Sequence, residues 1–246
     1  SYAIDIIRDA NIDTPAVVED STTERIEFTD KIAIKDLYFR FEDSQSDTLS
    51  NINFDIHKGE KIGINGRSGA GKTTLFNLLL GLYAPSKGSI TIDGKELTAE
   101  NRRKWQNSIG YVSQSVFLTD STLIANIALG CKEEDIDMER ISRAIEAASL
   151  SEFVNSLPNG IYTRIGECGA LLSGGQRQRI GIARALYKGA EVLFFDEATS
   201  SLDNQTEQSI NDAIVSLAEA NSALTIVVIA HRDSSLAYCD RVITLE

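Results

Sequence analysis

Apolar and polar positions alternate along much of the first third of the chain. Residues 32–41 carry an apolar side chain at almost every second position, a pattern typical of a strand with one buried face. Four shorter stretches, one of them ending in an Asp-Gly turn, predict further strands. These are residues 51–56, 61–65, 90–94 and 108–112.

In the middle of the chain, apolar residues recur every three to four positions instead of every second position. Residues 138–150 place Ile141, Ala144, Ile145 and Ala148 on one helical face, and residues 151–157 predict a second, short helix. Helices and strands then alternate. The predicted helices are residues 174–187 and 206–220, and the predicted strands are residues 191–196, 224–230 and 242–245.

Strands separated by helices favour an α/β fold with a mainly parallel sheet, in which ligands bind at the carboxyl edge of the strands. We therefore expect an α/β core, an antiparallel β region near the start and an inserted helical subdomain at about residues 116–187. Residues 1–30 are polar and acidic, and we interpret them as a linker or arm from an upstream part of the protein. The expected globular domain is residues 31–246.

Charge and composition narrow the possible partners. The chain of 246 residues has a formal net charge of −12 and a pI near 4.7, which disfavours nonspecific binding to nucleic acid. Hydrophobic residues make up 42% of the chain, but no apolar run approaches the ~18 residues that cross a bilayer. The scattered cysteines and histidines show no zinc-ligand spacing, so we expect reduced thiols without a special role.

The string GRSGAGKT at residues 66–73 fits the phosphate-loop pattern G-x-x-x-x-G-K-[ST]. It follows a predicted strand and precedes an apolar run at residues 74–80, whereas a chance glycine turn would need neither. The glycines let backbone N–H groups point at phosphate oxygens, and the next helix adds the positive end of its dipole. Lys72 supplies a charge for the phosphates, and the Thr73 hydroxyl can ligate Mg²⁺. The expected nucleotide contacts are Gly66, Arg67, Ser68, Gly69, Ala70, Gly71, Lys72, Thr73 and Thr74.

Two carboxylates follow an apolar run of four residues that begins at Val192. A strand buried on both faces has such a continuous run, so Asp196 and Glu197 are expected at the carboxyl edge of the sheet beside the phosphate loop. There Asp196 could hold Mg²⁺ directly or through water, and Glu197 could polarise an attacking water. Alone, the pair is more typical of a solvated strand end. The phosphate loop favours the functional interpretation.

The string LSGGQ at residues 172–176, continued by RQRIGIARAL, is the most specific in the chain. Ser173 is a favourable helix N-cap, and Gly174 and Gly175 let a phosphate approach the helix N-terminus closely. Together with the phosphate loop and the acidic pair, this string resembles the signature of ABC (ATP-binding cassette) ATPases. The resemblance covers roughly residues 32–245 and implies the P-loop NTPase fold of that family.

The resemblance also implies roles for residues that no single motif would reveal. In the family, two domains enclose two ATP molecules head to tail, and each offers its signature helix to the γ-phosphate held by the other. Phe41 matches an aromatic residue that stacks on adenine; exporters usually have tyrosine there, so weak adenine selectivity is expected. Alone, Phe41 would be interpreted as a core residue and His231 as a polar strand end. The implied catalytic residues are Lys72, Gln114, Glu197 and His231, the implied metal-binding residues are Thr73, Gln114 and Asp196, and further nucleotide contacts are Ser173, Gly175, Gln176 and Asp203.

Residues 163–169, TRIGECG, resemble the loop TEVGERG that precedes the signature in ABC exporters, with Arg164 and Cys168 replacing glutamate and arginine. The acidic arm is similar to the segment that leads from the last transmembrane helix into the ATPase. Both features indicate the cytoplasmic half of an exporter at the inner membrane, excised from its membrane domain. Residues 97–101 and 238–241 are also similar to bacterial flippases for lipid-linked oligosaccharides.

We therefore expect an exporter ATPase domain that uses ATP and Mg²⁺. Its expected partners are a transmembrane domain absent from this chain and a second nucleotide-binding domain, either an identical copy or a paralogue. The alternative is a soluble ABC clamp that acts on nucleic acid or the ribosome. Such clamps carry coiled-coil insertions, zinc fingers or basic arms, and residues 72–173 show none of these. A regulatory domain that binds ATP without turnover is a second alternative, which Glu197 disfavours.

Overall fold

The computed structural model describes residues 24–166, 172–199, 202–230 and 232–245. Four strands form a sheet with the order β2-β1-β4-β5, in which every pair is antiparallel: β1 (Lys31–Phe39), β2 (Leu49–His57), β4 (Lys87–Ile92) and β5 (Lys95–Glu96). Five strands form a parallel sheet with the order β6-β7-β8-β3-β9: β3 (Lys61–Gly66), β6 (Ile109–Ser113), β7 (Val192–Asp196), β8 (Thr225–Ile229) and β9 (Arg241–Leu245). The two sheets confirm the predicted α/β fold with an antiparallel region.

The helices connect strands along the chain, and several of them lie between β6 and β7 in the sequence. They are α1 (Lys72–Leu79), α2 (Arg102–Ser108), α3 (Leu123–Ile127), α4 (Met138–Ala147), α5 (Ser151–Ser156), α6 (Gly174–Lys188), α7 (Asn204–Ala220) and α8 (Asp233–Leu236). Short 3₁₀ turns occur at Glu133–Asp135 and Gly160–Tyr162. In the part of the chain that the structure describes, no helix is both long and apolar enough to span a bilayer.

The parallel sheet separates two hydrophobic cores. Val192 and Phe194 of β7 are buried on the side of α1, where the Phe76 ring meets the Phe194 ring edge-on at 5.4 Å between centroids. Leu193 and Phe195 are buried on the opposite side, in the core that also contains residues of α6 and α7. Burial on both faces is the reason for the continuous apolar run of β7.

The antiparallel sheet centres on β1. Ile32 pairs with Ile56 of β2 and with Ile92 of β4, and all three side chains are fully buried. The strand ends at Phe39, two residues before the predicted end, and the register of its pairing with β2 shifts twice along its length. Phe41 therefore lies in the β1–β2 loop, where its carbonyl accepts a hydrogen bond from the Ser44 N–H at 3.0 Å.

The helix α4 has the predicted buried face of Ile141, Ala144 and Ile145, and Ala148 is buried directly after it. It begins at an Asp137 cap, whose carboxylate accepts hydrogen bonds from two backbone N–H groups at 3.0 Å. It ends three residues earlier than predicted, since Ser149 adopts a left-handed φ of 54°.

Three short helices, α2, α3 and α8, were not predicted. The helix α2 is anchored by Trp105, which is fully buried and whose indole N–H donates to the Leu79 carbonyl at 2.7 Å. One large tertiary anchor of this kind produces no periodic pattern in the sequence, so a helix of seven residues escapes detection.

Candidate functional site

The loop between β3 and α1 has the backbone that the GRSGAGKT string predicts. Gly69 and Gly71 adopt φ values of 83° and 86°, a region that residues with side chains rarely enter. A Cβ at Gly71 would also lie 2.7 Å from the Leu49 Cδ2 atom and 3.1 Å from the Thr48 oxygen, so this position has neither the conformation nor the space for one. At Gly69, by contrast, an added Cβ would meet no atom within 4 Å.

Lys72 holds this loop together from inside. It is the first residue of α1 and only 6% exposed. Its ammonium group donates to the Gly66 carbonyl at 2.8 Å and to the Arg67 carbonyl at 3.0 Å. The loop therefore wraps around a buried cation, and the Ala70 N–H closes it further by donating to Arg67 at 3.1 Å.

A cleft of about 240 Å³ opens in front of the loop. The structure brings Glu197 into it, although its number differs by 123 or more from those of the other lining residues. Thr48, from the loop before β2, also lines the cleft and was not predicted from the sequence. The full lining is Thr48, Ser68, Gly69, Gly71, Lys72, Thr73, Thr74 and Glu197.

Asp196 ends β7 and is hydrogen-bonded across the sheet. Its Oδ2 atom accepts from the Tyr111 hydroxyl of β6 at 3.0 Å. Burial raises the pKa of Asp196 above its usual value; the Tyr111 hydrogen bond and the Lys72 charge oppose this, and the Glu197 charge adds to it. Burial and the Asp196 charge also raise the pKa of the Tyr111 phenol. Glu197 and Lys72 thus lie close enough to Asp196 to act on it electrostatically, as expected at a single site.

Glu197 directly follows β7 and turns away from it. Its φ of 49° lies in the left-handed region, and its N–H donates to the Ile229 carbonyl at the end of β8 at 3.0 Å. Because non-glycine residues in this region cluster at functional sites, the conformation of Glu197 is consistent with a role in chemistry.

The signature string forms the N-terminus of α6. Ser173 and Gln176 make a reciprocal capping box: the Ser173 hydroxyl accepts from the Gln176 N–H at 3.2 Å, and the Gln176 side chain accepts from the Ser173 N–H at 2.8 Å. The two glycines have a packing role that the sequence did not reveal. A Cβ at Gly174 would lie 2.5 Å from the Leu202 side chain, and one at Gly175 would lie 2.6 Å from that of Thr206.

Asp203 caps the helix α7. Its carboxylate accepts from the Thr206 N–H at 3.0 Å and from the Thr206 hydroxyl at 2.6 Å. These hydrogen bonds, led by that of the hydroxyl, lower the pKa of Asp203. Gln114 directly follows β6, and its backbone carbonyl accepts from the buried Gln178 side chain of α6 at 2.8 Å.

Phe41 lies in an aromatic group that the sequence predicted only in part. Its ring is 43% exposed and stands edge-on to Phe39 at 4.9 Å and to Tyr83 at 5.9 Å. Phe39 and Tyr83 stack face to face at 5.4 Å. The two rings behind it hold Phe41 in one orientation while one part of its surface stays open, as a platform for a flat ring requires.

Glu207 of α7 is a further buried carboxylate that the sequence did not single out. It is 3% exposed and accepts from the Ser234 and Ser235 hydroxyls at 2.7 and 2.8 Å, and it pairs with Arg232. Burial would raise the pKa of Glu207, but the two hydroxyls and the guanidinium group together lower it. The Ser235 hydroxyl also contacts that of Thr199, two residues after Glu197, at 3.1 Å.

Apart from Phe41 and Gln114, which follow β1 and β6, the predicted site residues that the structure describes fall into two places. The phosphate loop and Glu197 share the cleft, with Asp196 next to it. Ser173, Gly175, Gln176 and Asp203 lie at the N-termini of α6 and α7 and are not among the residues that line the cleft. His231, and Cys168 of the exporter-like loop, lie outside the described residues.

Comparisons with known proteins identify a family and several relatives of this chain. The family described as ABC transporter matches residues 49–200. A protein of Ralstonia nicotianae (strain ATCC BAA-1114 / GMI1000) named ATP-dependent lipid A-core flippase is 40% identical over 236 residues, 96% of this chain and 39% of its own length. A protein of the same name from Francisella novicida is 42% identical over 238 residues, again 96% of this chain and 39% of its own length. The chain therefore spans about two-fifths of the length of these relatives.

A solved structure has the same fold. A bacterial Atm1-family ABC exporter with ATP bound superposes with a TM-score of 0.79 at 33% identity, over 92% of this chain and 39% of that one.

Proposed function

Since the chain belongs to the ABC transporter family, we propose that it is the ATP-hydrolysing domain of a membrane exporter or flippase. The proposal rests above all on the cleft of about 240 Å³, which joins the phosphate loop to Glu197. The loop can hold the phosphates of a nucleotide, and Glu197 supplies a carboxylate beside them.

The residues of the site fit ATP and Mg²⁺. The open space at Gly69 leaves room for a phosphate to approach the loop closely, and the N-terminus of α1 adds its dipole. The Lys72 ammonium, now on two carbonyl groups, can exchange them for phosphate oxygens. Mg²⁺ prefers hard oxygen donors and usually takes one or two from protein together with phosphates, and the Thr73 hydroxyl and the Asp196 carboxylate are such donors. When bound, the ion would neutralise charge on the phosphates.

The side chains then divide the work of hydrolysis. Phe41 stacks on the base, and Lys72 stabilises the charge of the β- and γ-phosphates. Glu197 orients and polarises the water that attacks the γ-phosphate in line. The family resemblance adds Gln114 as a residue that touches the metal and His231 as a contact to the γ-phosphate.

A second domain completes each site in this proposal. Ser173, Gly175 and Gln176 do not line the cleft of their own chain, and the N-terminus of α6 is an anion-binding end. Head-to-tail pairing brings them to the γ-phosphate of another copy, with Asp203 in the same interface. Before pairing, Ser173 and Gln176 hydrogen-bond to each other. Because the site is complete only in the pair, an isolated domain is expected to hydrolyse ATP slowly.

The surface beyond Gln114 fits a membrane partner. Phe117 is 68% exposed. Thr122 forms an isolated antiparallel β-bridge with Arg164, which belongs to the exporter-like loop at residues 163–169. The Arg164 guanidinium also lies 3.3 Å from the Asp120 carboxylate. We place the transmembrane domain against this surface, which puts the ATPase on the cytoplasmic face of the inner membrane.

A lipid with a large polar headgroup is the proposed class of transported molecule. The relatives are named for flipping lipid A-core, and the resemblance of residues 97–101 and 238–241 to flippases for lipid-linked oligosaccharides stays a prediction. The relatives are a flippase and an exporter, so nothing found favours the soluble clamp. Glu197 in the cleft argues against a domain without turnover.

Replacing the buried cation tests the proposal. Lys72→Ala is expected to weaken Mg·ATP binding at least about tenfold, because the loop loses the charge that faces the phosphates, a change of about 1.4 kcal/mol. Calorimetric titration with Mg·ATP measures it. Lys132→Ala, at an exposed lysine outside the cleft, is the matched control. If Lys72→Ala binds ATP as tightly as the unmodified chain, the cleft is not the nucleotide site.

A further inference from the structure

The hydroxyl of Tyr111 hydrogen-bonds to the carboxylate that we assign to the metal. β6 and β7 are parallel and in register, with Tyr111 opposite Phe194 and Ser113 opposite Asp196. Residues two apart on a strand point to the same face, so Tyr111, Phe194 and Asp196 share one face of the sheet. The Tyr111 Oη atom reaches Asp196 Oδ2 diagonally, at 3.0 Å.

This is the face on which the phosphate loop lies. Phe194 contacts Phe76 of α1 edge-on at 5.4 Å, and α1 begins at Lys72. The strand β6 is the edge strand of the sheet, and the Tyr111 ring is 46% exposed. Core packing does not account for a phenol at such a position, since a half-exposed hydroxyl could be satisfied by water.

A phenol that donates a hydrogen bond to one oxygen of a carboxylate fixes the direction in which the other oxygen points. Asp196 follows four apolar residues and has no side-chain neighbour on its own strand that could hold it, because Val192, Leu193, Phe194 and Phe195 are all hydrocarbon. The hydrogen bond to Oδ2 restricts the rotation of the carboxylate and leaves Oδ1 available. Hydrogen-bonded supports of metal-binding carboxylates generally change metal affinity by about 10- to 100-fold when they are removed.

We propose that Tyr111 is the positioning residue for Asp196 and thereby sets the affinity of the nucleotide site for Mg²⁺. The inference rests on the proposed function, in which Asp196 is one of the residues that hold the cation, with Thr73 and Gln114. Tyr111 acts through Asp196 alone. Its removal should therefore raise the concentration of Mg²⁺ needed, with little effect on the binding of nucleotide once the cation is saturating.

The test is Tyr111→Phe, which removes only the hydroxyl. Mg²⁺ is titrated calorimetrically into the chain preloaded with ADP, so that no turnover contributes, and the Mg²⁺ dependence of phosphate release is measured beside it. The half-saturating Mg²⁺ concentration should rise about tenfold, while ADP affinity at saturating Mg²⁺ and the melting temperature stay unchanged. Tyr162→Phe, at a tyrosine that is 55% exposed in a 3₁₀ turn, is the matched control.

The outcomes separate this inference from the proposed function. An unchanged half-saturating Mg²⁺ concentration in Tyr111→Phe, while Asp196→Asn raises it, overturns the role of Tyr111 alone. A loss of nucleotide affinity that Mg²⁺ cannot restore also overturns it, since Tyr111 would then act on the nucleotide rather than on Asp196. If the unmodified chain binds nucleotide without any dependence on Mg²⁺, the metal site of the proposed function fails, and the inference with it.

Discussion

Glu197 combines backbone strain with unfavourable electrostatics. Its φ of 49° lies in the left-handed region, which costs a residue with a side chain about 1 kcal/mol or more. Its N–H is held by the Ile229 carbonyl at 3.0 Å, so the turn cannot relax without losing that bond. Its charge also adds to burial in raising the pKa of Asp196. Features of this kind are retained where activity requires them, at the expense of stability.

Two substitutions separate the strain from the charge. Glu197→Gly and Glu197→Ala both remove the carboxylate, and only glycine adopts the left-handed conformation freely. We expect Glu197→Gly to be more stable than Glu197→Ala by about 1 kcal/mol, or about 2–4 °C in melting temperature for a chain of this size. Differential scanning calorimetry measures the difference, and both variants should release no phosphate above background. An alanine variant at least as stable as the glycine variant would show that this backbone is not strained.

Three helix N-termini form one connected element around the site. The helix α6 packs on α7 where Gly175 meets Thr206, and Thr206 is in turn hydrogen-bonded by the Asp203 cap. The next residue of α7, Glu207, accepts hydrogen bonds from the hydroxyls of Ser234 and Ser235 at the start of α8. The signature helix and the segment that follows position 231 are thus joined through α7, with a buried carboxylate at the junction.

Glu207→Gln should destabilise the chain by about 2–3 kcal/mol. The amide keeps the size of the side chain but loses the charge that faces Arg232 and one of the acceptor positions, in a place where unsatisfied groups are costly. Urea unfolding measures the loss. Glu219→Gln, at an exposed glutamate on the same helix, should change the free energy of unfolding by no more than about 0.5 kcal/mol. Equal effects of the two substitutions would contradict the assigned role of Glu207.

The loss of stability in Glu207→Gln should depend on pH. Because the pKa of Glu207 is lowered in the folded chain, its charge stabilises the fold above the ordinary glutamate pKa of about 4.3. That stabilisation is lost as the pH falls through the lower pKa of the folded state. The difference in unfolding free energy between the unmodified chain and Glu207→Gln should therefore be full near pH 7 and shrink below about pH 4.

At the scale of the whole molecule, features encoded by a local sequence pattern were predicted, whereas features created by contacts between distant residues were not. The phosphate loop is one contiguous string, and the carboxylates of β7 follow a run that only a doubly buried strand explains, so both were found in the sequence. Tyr111 was missed because strand register, not proximity in sequence, brings it to Asp196. Tyr83 and Glu207 were missed for the same reason, since their partners lie at least 42 and 25 residues away by number.

The proposed division of the nucleotide site between the cleft and the N-termini of α6 and α7 is the central feature of the mechanism. The cleft holds the phosphate loop and Glu197, whereas the signature residues and Asp203 do not line it, and we propose that they meet the cleft of another copy. The net charge of −12 would not prevent such pairing, because the proposed contact is local, between helix N-termini and phosphates.

The most direct test of this claim is Glu197→Gln with Mg·ATP, followed by light scattering and by phosphate release. The account predicts that the variant binds ATP, forms a dimer that persists, and releases no phosphate, because the water is no longer polarised while the pairing surfaces stay intact. The unmodified chain should dimerise only transiently and release phosphate. A variant that turns over ATP at the rate of the unmodified chain would contradict the assignment of Glu197 and, with it, the mechanism proposed for this domain.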